Sequence, residues 1–361
     1  MSIETLNTTN FRNLADCRVQ FGPRANVFCG NNGSGKTNLL EAVFTLCLGR
    51  SQRGAGDQVL VQSGAEFYRL EGEIVTRGQA HQLAIACQTG GRKKVFIDSL
   101  TTRTSELYDY CCLVAAGPED SEILNGPPAA RRLFLDLYLA QLVSGYLADL
   151  SDYQRVLAQR NAALRREMSP EPFDPLLVEY GVKVMLGRDV FLGQLGDRAT
   201  RAYGRITGGE PLCMSYEPRV PFDRGVQDRG AVAEVFRAEL ARQSDRERAA
   251  QISLVGPHRD EVAFEICGFP ARTHGSQGQW RAAAVALKLG VYELLKEKRG
   301  EPPVLLLDEI FAELDSERAN RLVEGFADAD QLFLTTAAEP PDSLFEMARR
   351  FRIVAGKVME I

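Results

Sequence analysis

The chain has 361 residues, 45% hydrophobic and 25% charged, with a formal net charge of −5 at pH 7. This composition supports two or three globular domains and excludes a globally basic nucleic-acid binder, so any such contact must come from a local patch. No apolar run nears the roughly 20 residues of a membrane span; the start lacks a secretory pattern, and the eight cysteines hold no Cys-x-x-Cys pair, so reduced thiols in a cytoplasmic protein with no membrane contact are expected.

In chain order, Cys17, Val19 and Phe21 alternate with polar residues as in a strand, and the short run Asn26–Cys29 enters a glycine-rich loop. The apolar segment NLLEAVFTLCLG then predicts a helix that stops at Gly49. FYRLEGEIVT (67–76), HQLAIACQT (81–89) and KKVFID (93–98) predict a meander with Gly90-Gly91 as a hairpin turn, and CLVAAG (112–117) predicts a buried strand. After Gly117-Pro118 the texture becomes helical: 129–168 with an interruption near Ser144-Gly145, 174–206, and 231–243 leading into the charged segment SDRERAA. Strands are predicted again at 252–256 and 261–267, followed by a helix at 278–298, the strand VLLLDE, a helix near 316–327 and the strand QLFLTT. The order predicts an α/β domain built from 1–117 and 250–361, with a helical arm at 118–249. About 40 helical residues in that arm would reach about 60 Å.

GNNGSGKT, from Gly30 to Thr37, fits the phosphate-binding loop pattern between a strand and a helix. Its residues Gly30, Asn31, Asn32, Gly33, Ser34, Gly35, Lys36 and Thr37, with Asn38 behind them, are the expected nucleotide contacts. Glycines let backbone N–H groups wrap phosphate oxygens, and the helix N-terminus adds favourable partial charge. Lys36 would reach the β- and γ-phosphates, and the Thr37 hydroxyl would sit on Mg²⁺. VLLLDE delivers Asp308 to the C-terminal end of a strand, where open α/β sheets bind ligands. Asp308 is the second expected Mg²⁺ group, and Glu309 the base that polarises the attacking water. With Lys36 they form the expected catalytic set.

Between these motifs lies HGSQGQW (274–280), one helix upstream of Asp308. Phosphate loop, Ser-x-Gly-Gln before a helix, then Asp-Glu on a strand is similar to the order in ATP-binding-cassette ATPases. That resemblance implies that Ser276, Gly278 and Gln279 cap the γ-phosphate held by a second subunit. FAELD (311–315) resembles the loop through which such subunits communicate; Asp315 serves there or caps the helix near Ser316.

FRNL (11–14), the phosphate loop, GPEDSEILNGPPAARRLFLD (117–136), LVGPHRDE (254–261), GSQGQWR (275–281) and LLLDEIFAELD (305–315) together resemble the RecF family, which is related to SMC ATPase heads. The likeness implies an ABC-type, SMC-head-like fold with a helical insertion. It further implies binding of ATP and Mg²⁺, an ATP-dependent homodimer on double-stranded DNA near gaps and single-strand/double-strand junctions, and weak, slow, DNA-stimulated ATP hydrolysis. Cooperation with RecR and RecO in loading RecA, a link to the SOS response and association with the nucleoid follow from it too. LTTAAE (334–339) has no histidine where a cassette ATPase usually carries one, which leaves Thr335 or Thr336 to substitute. Ala312 removes a hydroxyl from the dimer-facing loop.

Candidate DNA contacts are Arg92-Lys93-Lys94, Arg131 with Arg132, and Arg198, Arg201 and Arg205 on one helix face. Arg12 and Arg53 are candidates to serve the nucleotide. His258 and Asp260 either orient groups near the γ-phosphate or DNA, or serve in buried hydrogen-bonded packing. The alternatives are a transporter-energising or nuclease-linked ATPase and a metabolic kinase. The first lacks room for a further acidic metal cluster after Asp315; the second is disfavoured by the Ser276 loop.

Overall fold

The computed structural model describes residues 1–225, 228–310, 329–337 and 348–361. The chain forms two compact units, Met1–Asp120 with Val291–Ile361, and Ser121–Gly290.

The first unit opens with β1 (Ser2–Ile3), β2 (Thr5–Thr9), β3 (Cys17–Gln20), β4 (Ala25–Cys29) and α1 (Lys36–Leu48). It continues through β5 (Phe67–Thr76), β6 (Gln79–Gln88), β7 (Lys94–Ile97), β8 (Leu100–Thr102), α2 (Leu107–Tyr110) and β9 (Leu113–Ala116). One sheet runs β3-β2-β5-β6-β7-β8, with β1 pairing β5. Its long β5–β6 ladder turns at Arg77 and Gly78, both at positive φ, as a tight hairpin matched to strand twist requires. Alternate β5 residues are buried, as expected of a sheet covered on one face.

The second unit holds α3 (Glu122–Asn125), α4 (Pro128–Leu142), α5 (Tyr146–Arg165), α6 (Asp174–Thr207), β10 (Leu212–Glu217) and α7 (Arg229–Ala250). Next come β11 (Glu261–Ile266), β12 (Phe269–Pro270), α8 (Ala271–His274) and α9 (Gln277–Arg299), along which the division between units falls. The first unit is then completed by β13 (Val304–Asp308), β14 (Leu332–Thr336), β15 (Arg349–Val354) and β16 (Lys357–Glu360). Its second sheet is ordered β16-β15-β4-β14-β13-β9, parallel except for β16. Strands β9 and β13 are buried at every position, the signature of a parallel sheet covered on both faces.

Between the sheets lies α1, touching β9, β13 and β14 on one side and β5 and β6 on the other. All of its 13 residues are buried except Thr37 and Asn38. A helix that is apolar all round belongs inside a core, and its two exceptions mark where the nucleotide motif begins.

In the second unit α6 is 34 residues long, about 51 Å at 1.5 Å per residue, and packs against α4, α5 and α7. The expected interruption at Ser144-Gly145 separates α4 from α5: Gly145 caps α5 at φ 83. The charged segment SDRERAA continues α7 rather than following it. ISLVG (252–256), expected as a strand, is not one. Side chains take its backbone donors: Ser253 N donates to Asn161 Oδ1 (2.8 Å) and Leu254 N to Glu247 Oε1 (2.7 Å). Strand β10 has no counterpart in the sequence reading; it pairs with β11, which places 261–266 in the same unit as the helices, beyond the expected boundary at 249. The helix expected near 316–327 lies outside the described residues.

Candidate nucleotide site

The parallel sheet brings the ends of β4, β13 and β14 together. Leaving β4, the loop 30–35 turns through Gly33 (φ 77) and Gly35 (φ 114), backbone that side-chain-bearing residues rarely adopt. Gly30 is required for space as well: a Cβ there would lie 2.4 Å from the Ile353 carbonyl oxygen. Gly35 caps α1 with no side-chain acceptor, so the first-turn N–H groups and the positive end of the helix dipole face the loop. Ser34 Oγ is buried without a hydrogen-bond partner. A donor-rich cradle with an unsatisfied hydroxyl suits a phosphate chain.

Lys36, 3% exposed, holds the loop closed. Its Nζ donates to the carbonyls of Gly30 (2.8 Å) and Asn31 (3.2 Å) and pairs with Glu309 Oε1 at 3.0 Å. Next door, Thr37 Oγ1 donates to Asp308 Oδ1 (3.1 Å), and Thr335 Oγ1 donates to the same oxygen (2.6 Å). Thr335 also accepts from Glu309 N (3.0 Å). Burial pushes the Asp308 carboxyl up from the ordinary range; the hydroxyls of Thr335 and Thr37 oppose that, while Glu309 adds to it. A cation beside Asp308 would reverse this penalty. Among the described residues no group of three or more His, Cys, Asp or Glu could hold a metal. One carboxylate and one hydroxyl beside a phosphate cradle is the protein share of a Mg²⁺ site completed by substrate oxygens and water. The residues fit MgATP.

Of the two threonines expected to stand in for the missing histidine, Thr335 is fully buried and bonded to both Asp308 and Glu309. Thr336 is half-buried at the strand end. The Arg12 guanidinium braces buried Glu41 of α1 (2.9 and 3.1 Å) and reaches Val59 O (3.2 Å). Its neighbour Asn13, quoted in the sequence only as part of FRNL and given no role there, touches the loop. Asn13 Nδ2 donates to Gly33 O (3.2 Å), and Asn13 Oδ1 accepts from Asn38 (2.7 Å). Arg53 lies 3.8 Å from Glu119 and belongs to the field around Asp308.

The chain matches the RecF/RecN/SMC N terminal domain family across residues 2–354. It is 37% identical over 368 residues to the DNA replication and repair protein RecF of Symbiobacterium thermophilum, covering 99% of this chain and 98% of that protein. The chain belongs to the RecF family. RecF of Staphylococcus aureus is 34% identical over 372 residues, covering 100% of both chains. Among solved structures, the recombination mediator protein RecF-ATP in the RecFOR pathway has a TM-score of 0.92 at 29% identity, covering 99% of this chain and 97% of that one. An Smc head bound to the C-winged helix domain of ScpA has a TM-score of 0.58 at 14% identity, covering 99% and 97%, a likeness of fold. The ABC-type, SMC-head-like architecture is thus that of a RecF-family DNA replication and repair protein.

The other residues expected from RecF-like motifs fall as follows. Ser276 is exposed and closes a capping box at the start of α9: Gln279 N donates to Ser276 Oγ (3.2 Å) and Ser276 N to Gln279 Oε1 (3.0 Å). Gly278 is exposed on the first turn, and Gln279 Nε2 reaches Glu210 (3.2 Å). This loop lies in the second unit, the phosphate loop in the first. Asp315 and Ala312 lie outside the described residues. Arg131 is not a surface cation: 4% exposed, it forms a fork on Glu261 (2.6 and 2.8 Å). Arg132 donates to Asp260 O (2.7 Å). Arg92 and Lys94 are exposed, whereas Lys93 pairs with Asp57 (3.0 Å). Arg201 and Arg205 are exposed on α6, and Arg198 is half-buried. His258 and Asp260 take the buried-packing alternative: His258 meets Tyr153 (2.6 Å), and Asp260 accepts from Tyr216 and from Arg219 N (2.9 Å).

Proposed function

We propose that this chain is an ATP-driven DNA-binding switch of recombinational repair. The observation that carries the reading is the convergence of Lys36, Thr37, Asp308 and Glu309 through contacts of 3.0 to 3.1 Å at the end of the parallel sheet. Lys36, the loop amides and Ser34 would hold the phosphates of ATP; Thr37 and Asp308 would hold Mg²⁺. When bound, Mg²⁺ supplies charge neutralisation of the β- and γ-phosphate oxygens. Lys36 holds both the loop carbonyls and Glu309, so its transfer to a phosphate would free Glu309 as general base. Hydrolysis that depends on this exchange and on a loop supplied by another copy is slow, and binding rather than turnover is the switch.

Ser276, Gly278 and Gln279 then act in trans on the γ-phosphate of a second copy, with Asp315 in the communicating loop. The closed dimer binds double-stranded DNA near gaps and junctions, and with RecR and RecO promotes RecA loading and SOS induction. The RecF relative solved with ATP, a protein of the RecFOR pathway, supports the nucleotide and the pathway, and similarity to RecF proteins over 99% of this chain supports a role in DNA replication and repair.

The test compares sedimentation and duplex binding with ATP, ADP or no nucleotide, beside Ser276→Arg. ATP should drive a dimer and duplex binding, and Ser276→Arg should abolish both while ATP binding by the monomer persists. A permanent monomer whose duplex binding ignores nucleotide sinks the reading.

A further inference from the structure

The β15–β16 hairpin was not among the basic segments picked out by sequence. Its inner face is core: Phe351 and Ile353 are 2% and 1% exposed. Its outer face is set by register. Arg352 stands opposite Met359 and Val354 opposite Lys357, while Ile361 N donates to Arg350 O at 3.0 Å. Period-two alternation therefore aligns Arg350, Arg352 and Lys357 with Val354, Met359 and Ile361 on one side. Val354, Met359 and Ile361 are 52%, 46% and 59% exposed, and Arg352 and Lys357 are exposed too. The strand's carboxylate, Glu360, is opposite Phe351 and ion-paired with Arg349 (2.7 Å), in the other phase of the alternation. Among the described residues no carboxylate pairs with Arg352 or Lys357.

The same hairpin is built into the phosphate loop. Ala355 and Gly356 turn at φ 47 and 78, the two left-handed positions of a tight hairpin. At the turn Gly356 N donates to Ser34 O (2.8 Å), and Gly356 O accepts from Ala15 N (2.9 Å). A Cβ on Gly356 would lie 2.1 Å from Asn13 O, so the tip is wedged between the phosphate loop and the FRNL segment.

We propose that this outer face is a contact surface for the sugar–phosphate backbone of double-stranded DNA, and that its turn carries that contact to the phosphate loop. The proposal rests on the DNA-binding reading above and adds to it a surface and a route of coupling. Charge selects the occupant: two exposed cations, Arg352 and Lys357, with which no carboxylate pairs among the described residues, call for a polyanion, and backbone contacts to phosphate and sugar need no sequence. The apolar side chains support the arginine and lysine stems and meet deoxyribose. Because Ser34 and Gly356 share a backbone bond, duplex engagement and nucleotide engagement bias one loop, and the coupling is reciprocal.

Arg352→Gln with Lys357→Gln, and each change alone, are compared with wild type on a duplex of about 30 base pairs in ATP across a salt series. Each phosphate contact contributes a slope of about 0.9 in log affinity against log salt. In the closed dimer each substitution is present twice, so each single variant should be shallower by about 1.8 and the double variant by about 3.6. ATP affinity without DNA should be unchanged, and the shift in ATP affinity caused by duplex should shrink. Slopes equal to wild type overturn the proposal while leaving the ATP-driven switch intact; no duplex binding by wild type in ATP overturns both. Unchanged duplex binding with lost binding of a polyglutamate peptide assigns the face to an acidic protein and also overturns it.

Discussion

His258 occupies a position where both ring nitrogens are already used. Its Nε2 lies 3.1 Å from Ser253 O, an acceptor, so Nε2 carries the proton and Nδ1 accepts from Tyr153 OH at 2.6 Å. Burial is the main reason its pKa falls from 6.5 to about 4, with nearby Arg259, Arg132 and Arg160 adding to the effect. The sign follows from linkage. The folded state disfavours the proton, so this contribution is complete above pH 6.5 and is lost as pH falls toward 4. Its full size is about 3 kcal/mol. Urea unfolding at pH 7 and pH 4.5 should show wild type losing more stability than His258→Gln between those values; equal losses refute the assignment. The sequence left His258 open between a functional and a packing role because Tyr153 is 105 residues away.

At the scale of an element, the Ser276 loop is held by a ring as well as by its capping box and backbone. Trp280 Nε1 donates to Ala271 O at 2.7 Å, and a Cβ on Gly275 would sit 2.3 Å from that nitrogen. Gly275→Ala must therefore break the Trp280–Ala271 bond and displace Ser276. It should weaken ATP-dependent association at least tenfold while ATP affinity of the monomer stays within about twofold, a split of roughly 1.4 kcal/mol that calorimetry and sedimentation resolve together. Association equal to wild type contradicts it. Much of this layer was legible. The phosphate loop, the helix ending at Gly49, the break at Gly145 and the strand carrying Asp308 follow local rules of spacing, glycine and apolar runs. The failures share another cause. ISLVG has the apolar content of a strand, but Asn161 and Glu247 claim its amides. Arg131 looks like surface charge until Glu261, 130 residues on, neutralises it. Strand β10 does alternate, with Leu212 and Tyr216 buried, yet it lies among helices whose texture masks it.

For the molecule as a whole, the second unit carries a buried charged centre. Arg188 is 3% exposed and grips Asp136 at 2.9 and 2.8 Å, Tyr146 bonds the same carboxylate (2.6 Å), and Pro257 O accepts from the guanidinium (2.7 Å). Arg188→Met leaves Asp136 buried without its cation, which costs about 3–5 kcal/mol. Denaturation should register that loss with ATP affinity unaltered; a change below about 1 kcal/mol contradicts it. The first unit draws on both chain ends, and the sheet order gives this a temporal meaning. β4, which delivers the phosphate loop, has β14 and β15 as its neighbours, both made after the whole second unit has been translated. On the ribosome the helical unit can therefore complete itself while β4 still waits, unpaired, for its flanking strands. The sheet that frames the candidate nucleotide site is therefore completed only after the helical unit has been made.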